Sequence, residues 1–172
     1  MKKLPLPINI KEWIENNREL LKPPVGNKCI YENAEFIIMV VGGPNARKDY
    51  HYEEGEEFFY QIEGDIVLKI ITNNEQKDIH IQEGEIFLLP PRTPHSPQRP
   101  ENTIGIVIER KRGPGEEDAF MWFCENCNSK LYEEFFLLKN IVDDLPPILN
   151  RFWDNQKYRT CKECGEVMSK PN

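Results

Sequence analysis

The 172-residue sequence lacks several features that mark common classes of protein. It has no excess of positive charge, because 29 acidic residues outnumber 22 basic ones and the net charge is −7. An acidic chain of this kind is not a general nucleic-acid binder. Apolar runs are short, with six residues at 36–41, whereas a membrane-spanning helix needs about 20. The first ten residues contain two lysines but no apolar core or small-residue cleavage site, so we predict no signal peptide and a cytoplasmic protein.

Histidine is also scarce, with three residues, whereas there are five cysteines. In the cytoplasm cysteines stay reduced, and clustered thiols are more often metal ligands than disulfides. Four of them form the pairs Cys124-x-x-Cys127 and Cys161-x-x-Cys164, with 33 residues between the pairs. Two such pairs are typical of a closed tetrahedral site for zinc or a single iron, which we expect to be structural. Cys29 stands alone, and we expect it to be a small buried apolar residue.

The first two parts of the chain differ in the spacing of their apolar residues. Asn9 predicts a helix N-terminus, and apolar residues then recur at roughly helical spacing until Pro23-Pro24. From about residue 29 to 110, short runs rich in Ile, Val and Phe alternate with turn residues, and 91–102 is one of these predicted turns. Several short strands with turns between them indicate an all-β barrel or sandwich.

The third part is an acidic tail, with eleven acidic and seven basic residues. It contains the cysteine pairs, and Pro146-Pro147 predict a short helix that starts after them, since proline suits a first helical turn. We therefore predict a domain over 1–112 and an extension over 113–172. The acidic charge disfavours a nucleic-acid-binding zinc ribbon in the extension.

His51, Glu57 and His95 lie beside turn-rich segments of the β region. Residues of one parity share a face of a strand, so the rows that contain His51 and Glu57 can both point into a barrel. Two histidines and one carboxylate with positions left open are the pattern of non-haem Fe(II) oxygenases. A lone histidine near a strand is more often a core residue, so the prediction depends on the combined spacing.

That spacing resembles the two-part signature of the cupin superfamily, G-x5-H-x-H-x3,4-E-x6-G and G-x5-P-x-G-x2-H-x3-N. The resemblance implies a mainly β fold: a cupin double-stranded β-helix (a jelly-roll barrel) with an N-terminal helix and a small metal-clipped C-terminal segment. The positions in register are His51, Glu57, Gly64, Gly84, Pro90 and His95.

The departures from the signature are informative. Glu53 stands where the second histidine would be, Arg92 replaces a glycine and Arg99 replaces the final asparagine. The metal site is thus reduced to three predicted ligands, with a guanidinium aimed at the pocket. We expect Glu53 and its acidic neighbours to form a solvated turn, and His80 to be a surface or edge residue.

Two arginines suggest what the pocket binds. Arg47 and Arg99 each lie four residues from a predicted ligand. A buried arginine is costly unless it meets an anion, and its planar fork suits a carboxylate. Glu109, at the end of a strand, can also face inward and meet a donor on the ligand. The alternative is that Arg99 and Glu109 pair with each other or lie in solvent.

Longer segments resemble the 3-hydroxyanthranilate 3,4-dioxygenase family over essentially the whole chain: LLKPPVGN, VVGGPNARKDYH, EEFFYQIEGD, IFLLPPRTPHSPQRP and IVDDLPP. The resemblance implies an extradiol-type dioxygenase that converts 3-hydroxyanthranilate and O₂ to 2-amino-3-carboxymuconate semialdehyde. This compound is the precursor of quinolinate, in the kynurenine pathway of tryptophan degradation and in NAD synthesis. The resemblance also implies catalytic Fe(II), a second iron (or zinc) at a rubredoxin-like four-cysteine site, and a homodimer.

The same resemblance implies roles for individual residues. Arg47 is expected near O₂ and substrate, and Arg99 and Glu109 at the substrate's carboxylate and amine side. Two alternatives stay open: another cupin metal enzyme, such as a different ring-cleaving dioxygenase or an isomerase, and a non-catalytic cupin that binds a small carboxylate. Positions that resemble the pocket wall and a closing loop are Asn27, Asp49, Phe59, Pro97 and Ile141.

Overall fold

The computed structural model describes residue 4 and residues 6–23, 26–31, 34–73, 75–138 and 141–170. The side chains of 141–143 are outside this description. None of the helices in these ranges is long and apolar enough to cross a membrane.

The described elements are twelve strands, three α-helices and one 3₁₀ helix. The helices are α1 (Ile10–Asn17), the 3₁₀ helix (Arg18–Leu21), α2 (Ile141–Asp154) and α3 (Gln156–Arg159). The strands are β1 (Asn27–Cys29), β2 (Phe36–Gly42), β3 (Asn45–Ala46), β4 (Tyr50–Tyr52), β5 (Glu57–Glu63), β6 (Ile66–Thr72), β7 (Glu75–Ile81), β8 (Ile86–Leu89), β9 (His95–Arg99), β10 (Ile104–Arg110), β11 (Asp118–Phe123) and β12 (Lys130–Phe136).

The strands form two antiparallel sheets that enclose one core. The first sheet has the order β1-β2-β10-β5-β8, and the second has the order β12-β11-β4-β9-β6-β7, with β3 also paired to β9. Phe59 and Val107 of the first sheet and Leu68 of the second belong to one buried apolar cluster. Two sheets closed over a common core in this way confirm the predicted cupin jelly roll.

The N-terminal helix is confirmed and lies against the first sheet. The side chain of Asn9 caps α1 by accepting hydrogen bonds from two backbone N–H groups of its first turn. The 3₁₀ helix continues the chain to Leu21, two residues before the predicted stop at Pro23-Pro24, of which Pro24 lies outside the described residues. Ile14 and Leu21 are buried against Val40 of β2.

The prediction of a turn throughout 91–102 is wrong, because residues 95–99 form strand β9. One side of β9 pairs continuously with β6, whereas the other side meets β4 at His95 and β3 at Gln98 and Arg99. Pro97 therefore stands at a gap in this second ladder. A residue without an N–H group is tolerated at such a gap.

The predicted start of the tail helix is also wrong. Helix α2 begins at Ile141, so Pro146 and Pro147 lie inside it and not before it. Proline in a helix interior removes a hydrogen bond, but α2 gains tertiary packing: Ile148 and Phe152 are buried against Trp122 of β11. Burial of an apolar face stabilises most helices in proteins more than intrinsic propensity does.

The extension is joined to the barrel through β11, which pairs with β4 in the second sheet. The rings of Trp122 and Phe152 stack at 4.2 Å between centroids, and both side chains are fully buried. The division into 1–112 and 113–172 stays a prediction: the β11–β4 ladder connects its two parts, and the stack packs α2 onto β11 within the second part.

Phe152→Ala is expected to lower the free energy of unfolding by about 3–5 kcal/mol, because it leaves a cavity beside Trp122. Urea denaturation followed by circular dichroism measures the change. The control is Leu137→Ala, since Leu137 lies in the same tail but is half-exposed. A loss for Phe152→Ala that is no larger than the control's would contradict the packing described.

Candidate active site

The three predicted ligands meet inside the barrel. His51 of β4 and His95 of β9 are partners in neighbouring strands, and Glu57 begins β5 in the other sheet. Each offers a ligand atom, and these atoms all lie within 4.8 Å of one another. His95 Nε2 is 2.7 Å from Glu57 Oε2. The structure thus brings together residues that are up to 44 positions apart in the sequence.

The chemistry of these three groups fits a divalent metal ion. Burial acts to raise the pKa of Glu57, but His95 and His51 lower it overall, so the carboxylate is ionised. Within the described part of the chain, Glu57 Oε2 is buried and receives no hydrogen bond of good geometry. An ionised oxygen that accepts no well-aligned hydrogen bond in the described structure, beside two imidazoles, suits a cation, and this donor set suits Fe(II) among other metals.

The ligands open onto a cavity of about 150 Å³. An engineered cavity of about this volume in another protein admits benzene, so a single aromatic ring fits. Asp49 does not line this cavity but contacts Arg47, and the side chain of Ile141 lies outside the described residues. The predicted residues that line it are Asn27, Arg47, His51, Glu57, Phe59, His95, Pro97, Arg99 and Glu109.

Arg99 is a buried cation without an anionic partner among the described residues. It is 3% exposed, Nη1 donates to Gln61 Oε1 at 3.2 Å, and Nε has no acceptor in the described part of the chain. Burial lowers the pKa of Arg99 to about 10, which still leaves it charged at neutral pH. A Cβ at Gly105 would lie 2.7 Å from Gln61 Oε1, so this glycine makes room for the pair. The alternative pairing of Arg99 with Glu109 is not seen.

Arg47 is held at the edge of the cavity. Its Nε donates to Asp49 Oδ2 at 2.9 Å, and Nη2 contacts the same oxygen. The guanidinium also lies 5.4 Å from the centre of the Phe120 ring, within range of a cation–π interaction. These contacts fix the orientation of Arg47, and Asp49 partly neutralises it.

Glu109 and Glu53 belong to a buried acidic cluster that the sequence did not predict. Glu109 faces Glu57 across the β10–β5 ladder and pairs with Arg112 at 3.0 Å. Glu53 is 3% exposed, so the expectation of a solvated turn is wrong for it. Burial, followed by the charge of Glu109, raises the pKa of Glu53 to about 9, which leaves it protonated at neutral pH.

Arg92, unlike Arg99, points away from the pocket. It is exposed, and its Nε donates to Glu54 Oε2 at 2.6 Å. Its φ of 59° is in the left-handed region, which explains why the cupin signature has glycine at this position. The guanidinium predicted in the pocket is therefore that of Arg99.

Part of the cavity lining is apolar, and some of it comes from the extension. Leu138 and Leu145 close the cavity from the extension, and Val107 and Met39 contribute from the first sheet. These residues and Arg112 were not predicted. The four apolar residues follow the same hydrophobic pattern as core residues, so no sequence signal separates a cavity wall from ordinary packing.

The four paired cysteines also meet in space, within the extension. Their Sγ atoms lie within 4.8 Å of one another, and Cys124–Cys164 and Cys127–Cys161 are 3.6 and 3.5 Å apart. A disulfide would need about 2.05 Å. The Ser129 hydroxyl and backbone N–H groups lower the pKa of Cys161 to about 6, which favours the thiolate. Four sulfur donors without an open position fit zinc or a single iron.

Cys29 and His80 both lie on edge strands of the sheets. Cys29 is exposed on β1, so the expectation of a buried residue is wrong; the residue ends this short strand, which lies at the edge of its sheet. His80 is exposed on β7, which is an edge strand, as predicted.

Comparison with known proteins gives the family. The profile of the 3-hydroxyanthranilic acid dioxygenase family matches residues 3–153. A protein named 3-hydroxyanthranilate 3,4-dioxygenase from Xanthomonas euvesicatoria pv. vesicatoria is 57% identical over 165 residues, covering 96% of this chain and 93% of the relative. One with the same name from Jannaschia sp. is 54% identical, covering 92% and 89%. Among solved structures, protein NMB1881 from Neisseria meningitidis superposes with a TM-score of 0.50 at 18% sequence identity. The match covers 62% of this chain and 100% of the Neisseria protein, and it supports the fold alone. The chain therefore belongs to the 3-hydroxyanthranilic acid dioxygenase family.

Proposed function

We propose that the protein is a ring-opening dioxygenase that converts 3-hydroxyanthranilate and O₂ to 2-amino-3-carboxymuconate semialdehyde. The ring bond between C3 and C4 breaks, and both atoms of O₂ enter the product. The observation that carries the proposal is the juxtaposition, in one cavity of about 150 Å³, of an open His/Glu/His site and the Arg99 guanidinium, which has no anionic partner among the described residues. The names of the relatives support the same reaction.

Fe(II) is the proposed catalytic metal, held by His51, Glu57 and His95. When bound, Fe(II) supplies the redox chemistry that lets O₂ react with the aromatic ring. The protein's contribution is then position and charge. Because its three ligand residues come from both sheets, the barrel fixes their relative orientation.

Arg99 binds the substrate carboxylate in this proposal. Its guanidinium is buried and lacks an anionic partner in the described structure, so a carboxylate would complete a charge-assisted pair. Glu109 accepts a hydrogen bond from the substrate's amine side, and its own charge is partly balanced by Arg112. The two groups would thereby set the orientation of the ring in the cavity.

Arg47 stabilises negative charge that develops on oxygen. It lies at the edge of the same cavity, with its orientation fixed by Asp49 and Phe120. Leu138 and Leu145 line the same cavity, and a lining with less water around the reacting groups would strengthen these electrostatic interactions.

The remaining assignments are proposals of the same kind. We propose a cytoplasmic homodimer, with iron or zinc at the four-cysteine site. The product is the precursor of quinolinate, which connects the enzyme to tryptophan degradation and NAD synthesis. Reduced thiols at the four-cysteine site are compatible with the cytoplasm.

Iron-loaded protein is expected to consume one O₂ per 3-hydroxyanthranilate and to form the near-ultraviolet absorbance of the ring-opened product. An oxygen electrode and a spectrophotometer measure both in one sample. His95→Ala, which removes a ligand, is the matched control and is expected to be inactive. Well-folded, iron-loaded protein that binds the compound without consuming O₂ would indicate a binding module, and consumption with a different aromatic acid alone would indicate another cupin enzyme.

Arg99→Ala is expected to raise KM for 3-hydroxyanthranilate by about 10- to 100-fold, the equivalent of one charged hydrogen-bonding group. Arg47→Ala is expected to act mainly on kcat, because its contribution grows as charge develops on oxygen. Steady-state kinetics of both variants separate the two effects, with exposed Arg92→Ala as the control. Equal changes in KM and kcat for both variants would count against these roles.

Cys161→Ser is expected to lose the second metal and to melt at a lower temperature, because the tail loses its metal clip. Activity is expected to persist, since the four-cysteine site has no open position for substrate. Elemental analysis, thermal unfolding and the O₂ assay test these outcomes, with Cys29→Ser as the matched control. A metal content equal to that of the wild type would overturn the assignment.

A further inference from the structure

Two arginine–carboxylate pairs of equal spacing span the connection between β10 and β11, from the last residue of β10 to the first residue of β11. Arg110 pairs with Glu116 and Arg112 pairs with Asp118, each six residues apart. The first pair is partly exposed, and Glu116 also accepts from the backbone N–H of Gly113, so this pair shapes the loop. The second pair is buried, with 9% and 0% of the two side chains exposed, and Arg112 lines the active-site cavity.

Arg112 contacts three buried carboxyl groups. Its Nε and Nη2 donate to the two oxygens of Asp118 at 2.7 and 2.6 Å. Its Nη1 is 3.0 Å from Glu109 Oε1, and its Nη2 is 3.2 Å from Glu53 Oε2. The guanidinium group therefore binds Asp118 through Nε and Nη2, and Glu109 through Nη1.

Asp118 in turn contacts a predicted metal ligand. Its Oδ2 lies 2.7 Å from Nε2 of His51, and its side chain is fully buried. A carboxylate bonded to one ring nitrogen of a ligand histidine fixes the orientation of the ring. Arg112 holds Asp118 through both carboxylate oxygens. The orientation of His51 therefore depends on Arg112 indirectly, through Asp118.

We infer that Arg112 is a positioning residue that fixes the metal ligand His51, through Asp118, and the substrate contact Glu109 at the same time. The substrate half of this inference rests on the proposed function, and the metal half does not. Arg112 would thus support metal binding through His51 and substrate binding through Glu109.

A merely structural role is the competing explanation, in which Arg112 only neutralises buried acidic groups. Lysine separates the two explanations. Its ammonium supplies the charge from a single point, whereas the planar fork of arginine can hold both oxygens of Asp118 and still reach Glu109. If only charge matters, Arg112→Lys should behave as the wild type does.

The test compares Arg112→Lys and Arg112→Gln with the wild type, with Arg110→Gln as the control for the loop. The dissociation constant for Co(II) is measured anaerobically by calorimetry, after one equivalent of Zn(II) has filled the four-cysteine site. KM and kcat for 3-hydroxyanthranilate are measured on separate samples of the same variants that are loaded with Fe(II), and thermal unfolding reports the fold.

Both Arg112 variants are expected to bind Co(II) about 10- to 100-fold more weakly, the usual effect of losing an outer contact of a metal ligand. KM is expected to rise in both, and Arg112→Lys is expected to melt closer to the wild type than Arg112→Gln does. Arg110→Gln is expected to retain the Co(II) affinity and KM.

Wild-type Co(II) affinity and KM in folded Arg112→Lys would overturn the inference, and this variant decides the matter if Arg112→Gln does not fold. Equal losses in Arg110→Gln would also overturn it, since the effect would then belong to the loop. If the wild type does not turn over 3-hydroxyanthranilate, the proposed function fails, while the Co(II) comparison still tests the role of Arg112 toward His51.

Discussion

The cost of burying charged side chains between the two sheets is the constraint on which the rest of this structure depends. Glu57, Glu109, Asp118 and Arg99 are each at most 6% exposed, and transferring such an ion from water costs several kcal/mol unless it finds a partner. Arg112 satisfies part of this requirement by holding Glu109 and Asp118. Two charges remain in the described structure: the ionised carboxylate of Glu57 beside two imidazoles, and the Arg99 guanidinium, which meets no anion among the described residues. These remaining charges suit a metal ion and a small carboxylate.

The sequence predicted the parts of the site that have a fixed spacing along the chain. The spacing of His51, Glu57 and His95 is a signature because two neighbouring strands of one sheet and a strand of the facing sheet must present them to the same point inside the barrel. Arg112 and Asp118 carry no comparable signal, because their spacing of six residues does not show whether a pair is buried. The neighbouring pair Arg110–Glu116 has the same spacing and is partly exposed. Whether such a pair is buried depends on how the loop folds over the sheet, which local pattern does not reveal.

The fold was predictable where hydrophobic runs are long and was mispredicted where tertiary packing overrides local preference. Strands such as β5 and β10 follow apolar runs, whereas β9 contains a proline and β4 has three residues. Helix α2 contains two prolines, and burial of its apolar face compensates for the backbone hydrogen bonds that they remove. The extension also contributes β11 to the second sheet and two leucines to the active-site cavity. The sequence pattern predicts only a metal-clipped tail here and gives no sign of this contribution.

The most direct test of this account is a crystal structure of the metal-loaded protein with 3-hydroxyanthranilate, prepared without O₂. The account predicts anomalous scattering from a metal ion between His51, Glu57 and His95, with the carboxylate of the substrate on the guanidinium of Arg99. A substrate in that cavity whose carboxylate lies away from Arg99, or a metal ion bound elsewhere in the barrel, would contradict it.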